Sequence, residues 1–139
     1  MVTMTEEHNS PMDALGAELP DLEISQEAEI LEAYGLDWTR FYTPRASAVA
    51  FPRSIEQVQG LVRWAHEHGV ALVPSGGRTG LSGAACALEG EIGVSFDRMN
   101  KILDLDPVDR LVVCEPGVVT EQLADLFDEN YNTVLKKVS

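Results

Sequence analysis

The segment of residues 74–83 carries the residue types best suited to binding an anion. It reads Pro-Ser-Gly-Gly-Arg-Thr-Gly-Leu-Ser-Gly. Glycine adopts positive φ freely and lets a ligand approach the main chain closely, and successive backbone N–H groups in such a turn converge on an anion. The hydroxyl groups of Ser75, Thr79 and Ser82 add donors, and Arg78 adds a positive charge. This chemistry favours a phosphate or a pyrophosphate as the ligand.

Two better-known phosphate-binding motifs do not fit these glycines. A P-loop requires a lysine directly after its last glycine, and no lysine follows a glycine in this segment. The dinucleotide motif Gly-x-Gly-x-x-Gly opens a helix, whereas Gly76-Gly77 has a different spacing and an alanine-rich stretch follows Gly83. A glycine-rich surface turn without a ligand stays open as the alternative.

Histidine, cysteine and aspartate residues outside this segment form no recognisable catalytic or metal-binding pattern. His66 and His68 are two residues apart, whereas a metal on a helix prefers ligands four residues apart. Cys86 and Cys114 lack the spacing of a metal knuckle and are too few for a disulfide framework. The aspartates of residues 97–109 do not follow calcium-loop spacing. They are interpreted as part of a solvated, turn-rich connector, with a turn that begins at Asp106-Pro107. We therefore assign no catalytic residue and no metal ligand.

The glycine-rich segment follows a predicted strand over residues 70–73, so its position depends on a sheet. Ser54 and Gln57 form a capping box at the start of the clearest helix, which Gly69 ends. The other predicted elements are strands over 49–51, 92–96 and 111–114, a first helix from Asp21 or Ser25 to Tyr34, and a last helix with Thr120 as N-cap. Strands that alternate with a helix in this order indicate a small α/β unit with parallel strands. Trp38 and Trp64 are expected in its core, and a place beside a bound cofactor is the alternative.

The charge of the chain is uneven. The 139 residues have a formal net charge of −13, which disfavours nucleic acid as a partner. Residues 1–40 hold ten acids and one base, and we predict a disordered acidic lead over 1–20 before a helical segment over 21–41. Residues 42–139 then form the folded domain. No apolar run reaches the roughly 20 residues that span a bilayer, and the expected compartment is the cytoplasm.

Four stretches of the sequence together resemble one known domain. Residues 73–84 resemble the pyrophosphate loop of the FAD-binding domain shared by vanillyl-alcohol oxidase and p-cresol methylhydroxylase (PCMH) flavoproteins. Residues 42–62 resemble the opening strand and helix of that domain, residues 95–102 the stretch after its third strand, and residues 113–118 its second flavin-contacting turn. The most similar branch comprises FAD-linked 2-hydroxyacid dehydrogenases acting on D-lactate, glycolate or D-2-hydroxyglutarate.

The resemblance implies a fold, a cofactor and the residues that hold it. The implied fold is the α+β, PCMH-type FAD-binding fold, with a first subdomain of short parallel strands and flanking helices and an incomplete second subdomain. The implied cofactor is non-covalent FAD, because Arg78 stands where some relatives carry a histidine that links FAD. The implied reaction is hydride transfer from the α-carbon of a small 2-hydroxy acid to the flavin. The implied cofactor-binding residues are Pro74, Ser75, Gly76, Gly77, Arg78, Thr79, Gly80, Leu81, Ser82, Pro116, Gly117 and Val118.

The resemblance also implies that this chain is an N-terminal fragment. The relatives are several times longer and have a separate substrate domain, and residues 132–139 do not match their continuation. We therefore expect a truncated or frameshifted product, or a fragmentary gene model. Such a chain should have no dehydrogenase activity on its own, and its uncovered apolar faces should favour self-association. The alternative is a non-catalytic remnant that binds FAD weakly or not at all.

Overall fold

A computed structural model describes residues 11–127 and contains a four-stranded sheet, a separate two-stranded hairpin and four helices within that range. The last helix, α4, begins at residue 120 and runs to residue 127, the last one described. The other elements, in chain order, are α1 (Pro11–Glu18), β1 (Glu23–Ser25), α2 (Ala28–Tyr34), β2 (Ala48–Phe51), α3 (Ile55–His68), β3 (Leu72–Ser75), β4 (Ile92–Ser95), β5 (Ile102–Asp106) and β6 (Leu111–Cys114).

The four-stranded sheet has the order β1-β2-β4-β3. Strand β4 pairs in parallel with both β2 and β3, so the predicted parallel strands are confirmed, and β1 adds an antiparallel edge. Every residue of β2 and β4 is buried, as expected for strands covered on both faces. Because the strands are parallel, β3 and β4 end at the same edge of the sheet. The segments that follow both strands therefore leave from one place.

Helix α3 forms as its terminal residues predict. The Ser54 hydroxyl accepts a hydrogen bond from the backbone N–H of Gln57, which caps the first turn. Gly69 ends the helix in the left-handed region at φ +65°, where glycine has no Cβ to strain. Trp64 and Leu61 face the sheet and are 2% and 1% exposed. The predicted burial of Trp64 is therefore confirmed.

The prediction that residues 1–20 form a disordered lead is wrong for residues 11–18. They form helix α1, whose Leu15 is completely buried in the core, and Leu19 packs against the same core. The helix approaches α3 so closely that a Cβ on Gly60 would lie 2.9 Å from a methyl group of Leu19. Two turns are too short to show a helical period, so only tertiary packing reveals the helix. The predicted disorder of residues 1–10 lies outside the described part of the chain.

The predicted first helix is also only half right. It ends at Tyr34 as expected, and Gly35 follows it, but its first residues form strand β1 instead. Backbone pairing of Glu23–Ser25 with β2 explains the change, and the Glu23 carboxylate adds ion pairs with Arg53 at 2.7 Å and with Arg98 at 3.2 Å. These contacts hold residues 23–25 against β2, and pairing with a strand outweighs the local helix propensity.

The C-terminal part of the described chain contains a strand that sequence reasoning missed. Residues 102–106, interpreted as part of a turn-rich connector, form β5, which pairs antiparallel with the predicted strand β6. The predicted turn at Asp106-Pro107 is confirmed, because the Asp106 carboxylate accepts from the N–H groups of Val108 and Asp109 at 2.8 and 3.0 Å. Helix α4 starts at Thr120 itself rather than after it. The unmatched residues 132–139 lie outside the described range.

Among residues 11–127, no helix combines the length and apolar character that crossing a membrane requires. The same residues contain no group of three or more histidine, cysteine and acidic side chains placed to hold a metal ion.

Candidate cofactor site

The glycine loop, residues 75–83, leaves the sheet at the shared carboxyl edge of β3 and β4. Ser75 is the last residue of β3, two positions later than predicted, and it pairs with Ser95 of β4. Pro74 lies within β3, which the sheet tolerates because β3 is an edge strand. The carbonyl of Ser75 accepts a hydrogen bond from the N–H of Phe96 at 3.1 Å. The start of the loop is thereby fixed by the buried sheet.

The backbone N–H groups in the middle of the loop have no acceptor within the described chain, whereas that of Gly83 at its end donates to Asp37. None of the N–H groups of residues 76–82 donates a hydrogen bond to another residue between 11 and 127. The loop is mostly exposed, with Leu81 at 70%. Arg78 adopts a left-handed conformation with φ +55°, the kind of turn in which successive N–H groups point to a common side. The loop therefore presents a row of free donors, as an anion-binding turn requires.

The Ser75 hydroxyl is a further unsatisfied group at the same place. Ser75 is 1% exposed, and its Oγ atom has no hydrogen-bond partner. Burying an unpaired hydroxyl group costs free energy. An oxygen of a ligand seated on the loop would supply the missing partner. The residues present therefore fit a diphosphate group by both side-chain and backbone chemistry.

The second predicted turn, residues 116–118, lies directly beside the glycine loop. A Cβ added to Gly76 would be 3.9 Å from the carbonyl oxygen of Pro116. Gly117 donates its N–H to the carbonyl of Met99 at 2.8 Å, which fixes the turn against the segment that follows β4. The structure thus brings together the two stretches whose residues the resemblance assigned to the cofactor.

One expectation about the loop needs correction. The glycine-rich sequence predicts positive φ at the glycines of the loop, but among them only Gly83 adopts it, and the other left-handed residue is Arg78. A Cβ at Gly77 would meet no atom within 4 Å. The absence of a side chain at position 77 therefore matters only for the approach of a ligand.

Arg78 points back into the protein. Its guanidinium lies 3.3 Å from each carboxylate oxygen of Asp97, donates to the carbonyl of Gly76 at 3.2 Å, and covers the ring of Tyr34 at 4.4 Å from the ring centre. No pattern in the sequence indicates the direction of this side chain. Its charge is shared with Asp97 before any ligand arrives.

Asp37 is a residue that sequence reasoning missed. It is 4% exposed, and its carboxylate accepts hydrogen bonds from the N–H and hydroxyl groups of Thr39 and, at 2.8 Å, from the N–H of Gly83 at the end of the loop. The Thr39 hydroxyl is the largest cause that holds the pKa of this carboxyl below its ordinary value; burial opposes it, and the Gly83 N–H adds to it. Asp-x-Thr indicates a local turn, but nothing in the sequence connects it to Gly83.

The neighbouring residue, Trp38, was expected in the core, and this is wrong. Its side chain is 71% exposed, while its backbone N–H donates to the carbonyl of Gly80 in the loop. An open cavity of about 520 Å³ lies between this segment, α2 and the loop. Its lining includes Glu29, Trp38, Gly77 and Arg78.

Comparison with known proteins agrees with this geometry. The FAD-binding domain family matches residues 46–135. D-2-hydroxyglutarate dehydrogenase of Stutzerimonas stutzeri is 59% identical over 103 residues, which are 74% of this chain and 22% of the relative. The enzyme of the same name from Xanthomonas citri is 50% identical over the same share of both chains. The chain therefore spans about a fifth of the length of these relatives.

Solved structures agree on the fold. p-Cresol methylhydroxylase with bound substrate has a TM-score of 0.69 at 28% identity, over 88% of this chain and 25% of that protein. Alkyldihydroxyacetonephosphate synthase has a TM-score of 0.72 at 20% identity, over 94% of this chain and 26% of that protein. The expected α+β, PCMH-type fold is confirmed. Because the family match covers more than half of the residues and contains the whole glycine loop, the chain belongs to the family of FAD-binding domains.

Proposed function

We propose that this chain is the part of an FAD-dependent oxidoreductase that holds the diphosphate of FAD, and that the complete protein oxidises D-2-hydroxyglutarate or a similar 2-hydroxy acid. The observation that carries the first part is the row of free N–H groups over residues 76–82 beside the unpaired Ser75 hydroxyl. The names of the relatives at 59% and 50% identity support the second part.

The residues of the loop and of the second turn divide the binding between them. The N–H groups of residues 76–82 and the hydroxyl groups of Ser75, Thr79 and Ser82 donate to the diphosphate oxygens. Residues 116–118 line the adenosine or ring portion. Bound FAD supplies the hydride acceptor, and the protein contributes binding, orientation and electrostatics. No described residue is assigned a catalytic role.

We further propose that FAD is bound without a covalent link. Arg78 occupies the position at which some relatives carry the linking histidine, and a guanidinium forms no such bond. His66 and His68 lie on α3, where His68 stacks on Trp64 in place of facing the loop. Acid precipitation should therefore release all flavin into the supernatant. Flavin that fluoresces with the protein band on a denaturing gel would contradict this.

The alternative function is that of a non-catalytic remnant that binds FAD weakly or not at all. It differs from the main proposal in one simple observation, the flavin absorbance of the purified chain. A visible flavin spectrum that survives gel filtration supports the cofactor site. A colourless chain that does not acquire flavin when FAD is added supports the remnant.

A single substitution tests whether the loop is the site. Gly77→Val places a branched side chain where ligand oxygens approach, and it meets no protein atom within 4 Å of the Cβ. The folded variant should lose FAD binding. Gly16→Ala, in the open space on α1, is the matched control and should bind as the unaltered chain does. Unchanged FAD affinity in folded Gly77→Val would exclude the loop as the diphosphate site.

A further inference from the structure

Three side chains from separate parts of the chain meet behind the glycine loop. The Tyr34 hydroxyl, at the end of α2, donates a hydrogen bond to the Asp97 carboxylate at 3.0 Å. The same carboxylate accepts hydrogen bonds from both terminal nitrogens of Arg78, each at 3.3 Å. The Arg78 guanidinium also lies over the Tyr34 ring, 4.4 Å from its centre. We call Tyr34, Arg78 and Asp97 the loop clamp. Each member contacts both of the others.

The members of the clamp are themselves held in place. The N–H of Asp97 donates to the Ser95 hydroxyl at 3.3 Å, and the Asn100 side chain donates to the Asp97 carbonyl at 3.1 Å, so the segment after β4 fixes the carboxylate. The Tyr34 ring packs edge-on against Phe51 of β2 at 5.0 Å. Burial and the hydrogen bond to Asp97 raise the pKa of Tyr34, which keeps its hydroxyl a donor. The clamp thus connects the loop to two buried strands.

The clamp acts on the one residue of the loop that needs support. Arg78 carries a Cβ and yet has φ +55°, a region that such residues rarely adopt. Its guanidinium also donates to the carbonyl of Gly76, two residues back, which closes the turn from within. The bonds to Asp97 therefore stabilise a strained conformation, which is of the kind found in turns whose successive N–H groups converge on an anion.

We propose that Arg78 is a positioning residue whose guanidinium is not a phosphate ligand, and that the clamp holds the loop N–H groups, that of Arg78 included, in their anion-binding arrangement. This inference rests on the proposed function of the loop. It has an unusual consequence for Asp97. A carboxylate next to a diphosphate site strengthens the binding of the anion, because it holds the loop that binds it.

Simple electrostatics predicts the opposite change in FAD affinity when Asp97 loses its charge. If Arg78 were a direct ligand, neutralising Asp97 would remove a repulsive charge and free a cation for the diphosphate, so FAD would bind more tightly. With 27% and 35% of their side chains exposed, Arg78 and Asp97 are partly screened by solvent. The clamp therefore acts mainly through geometry. The sign of the change in FAD affinity separates the two roles.

The experiment is an FAD titration of the full 139-residue chain and its variants, followed by flavin fluorescence. Asp97→Asn keeps the shape of the side chain but removes its charge, and FAD should bind about tenfold more weakly, the effect of one charge-assisted hydrogen bond. Tyr34→Phe keeps the ring under Arg78 and loses only the hydroxyl, so a roughly threefold weakening is expected. Equal or tighter FAD binding in folded Asp97→Asn would overturn the proposal.

Two further variants separate the clamp from a plain charge effect and from direct contact between Arg78 and the diphosphate. Glu27→Gln removes an exposed carboxylate directly before the helix that carries Tyr34, outside the cavity lining, and shows the effect of one negative charge less; it should leave FAD affinity unchanged. The double variant combines Arg78→Gln with Asp97→Asn. Its FAD affinity should be no lower than that of whichever single variant binds FAD more weakly, because both residues act through one contact. Additive losses would overturn the positioning role, because Arg78 would then contact the diphosphate directly.

A measurement without flavin tests the clamp even if the chain binds no FAD. Nitrogen relaxation in NMR reports the rigidity of the N–H groups of residues 76–82. Order parameters should be about 0.85 in the unaltered chain and below about 0.6 in Asp97→Asn, with other folded residues unchanged. Order parameters that are equal in the two proteins overturn the clamp. If the loop is rigid in the unaltered chain and mobile in Asp97→Asn, but the chain binds no FAD, the clamp is retained and only the proposed function is overturned.

Discussion

At position 117 the fold accepts only glycine. A Cβ there would lie 1.9 Å from the carbonyl oxygen of Phe96 and 2.7 Å from that of Met99, closer than any real Cβ contact. Both oxygens belong to the backbone and cannot rotate away. Glycine is therefore required at position 117 because this turn packs closely against the segment of residues 96–99. The requirement exists before any cofactor binds.

Gly117→Ala should destabilise the flavin-free chain, because the turn must move away from the segment after β4. A loss of about 1–3 kcal/mol in the free energy of unfolding is expected, the range for overpacked sites. Gly77→Ala is the matched control in the neighbouring loop, where a Cβ meets nothing within 4 Å, and its effect should stay within about 0.5 kcal/mol. Urea denaturation followed by circular dichroism measures both. Equal urea midpoints for Gly117→Ala and Gly77→Ala would show that the turn at Gly117 does not contact the segment after β4.

The Asp37 carboxylate should make the stability of the chain depend on pH. Its pKa lies below the ordinary value of 3.8, so its contribution is present in full above that pH and is lost as the pH falls through the lower pKa of the folded state. Asp37→Asn, which cannot titrate, should be less stable than the unaltered chain at neutral pH. The difference should shrink when both proteins are unfolded by urea below pH 3.8. A difference that is independent of pH would show that the charge of Asp37 contributes nothing.

At the scale of elements, short segments depend on their neighbours for their structure. Helix α1 has eight residues and β1 has three, and neither is stable alone. Leu15 of α1 is completely buried beside α3, while Glu23 of β1 pairs with arginines that follow β2 and β4. Both elements precede the range of the family match and still complete its core.

Two adjacent positions of α1 should respond in opposite directions. Leu15→Ala creates a cavity in the core and should lower the free energy of unfolding by about 2–5 kcal/mol. Gly16→Ala introduces a better helix former into open space and should raise it by up to about 1 kcal/mol. Thermal unfolding of both variants measures the two shifts. If Leu15→Ala changes nothing, residues 11–18 do not form part of the fold in solution.

At the scale of the whole molecule, the hairpin of β5 and β6 stands apart from the main sheet and exposes apolar side chains. Leu103, Val108 and Leu111 are 60%, 86% and 53% exposed. Exposed apolar side chains concentrated in one hairpin favour association. The chain spans about a fifth of the length of its relatives. The absence of dehydrogenase activity in this chain alone and its cytoplasmic location stay predictions.

We expect the chain to self-associate as its concentration rises. Leu103→Lys places a charge on the exposed face of β5 and should reduce this association, because the lysine would have to be desolvated in the contact. Light scattering over a range of concentrations gives the molar mass of both proteins. An unaltered chain that stays monomeric throughout would show that the exposed hairpin does not act as a contact surface.

Features that depend on residues close together in the sequence could be predicted without the structure. Ser54, Gln57 and Gly69 set the ends of α3 because capping acts within one helical turn. The glycines of residues 76–83 and the Asp106-Pro107 turn could be read for the same reason. The resemblance of four stretches identified the family before any contact was known. These signals place the candidate cofactor site in one segment of the chain.

The way that segment is held depends on contacts between distant parts of the chain. Asp37 and Gly83 are separated by 46 positions, and Arg78 and Asp97 by 19, so no local pattern reports that they touch. The helix of α1, the pairing of β1 and the strand β5 likewise come from packing that outweighs weak local propensity. A loop that must offer its N–H groups to a ligand cannot use them to hold itself. Its shape therefore has to come from side chains that the fold brings from distant parts of the sequence.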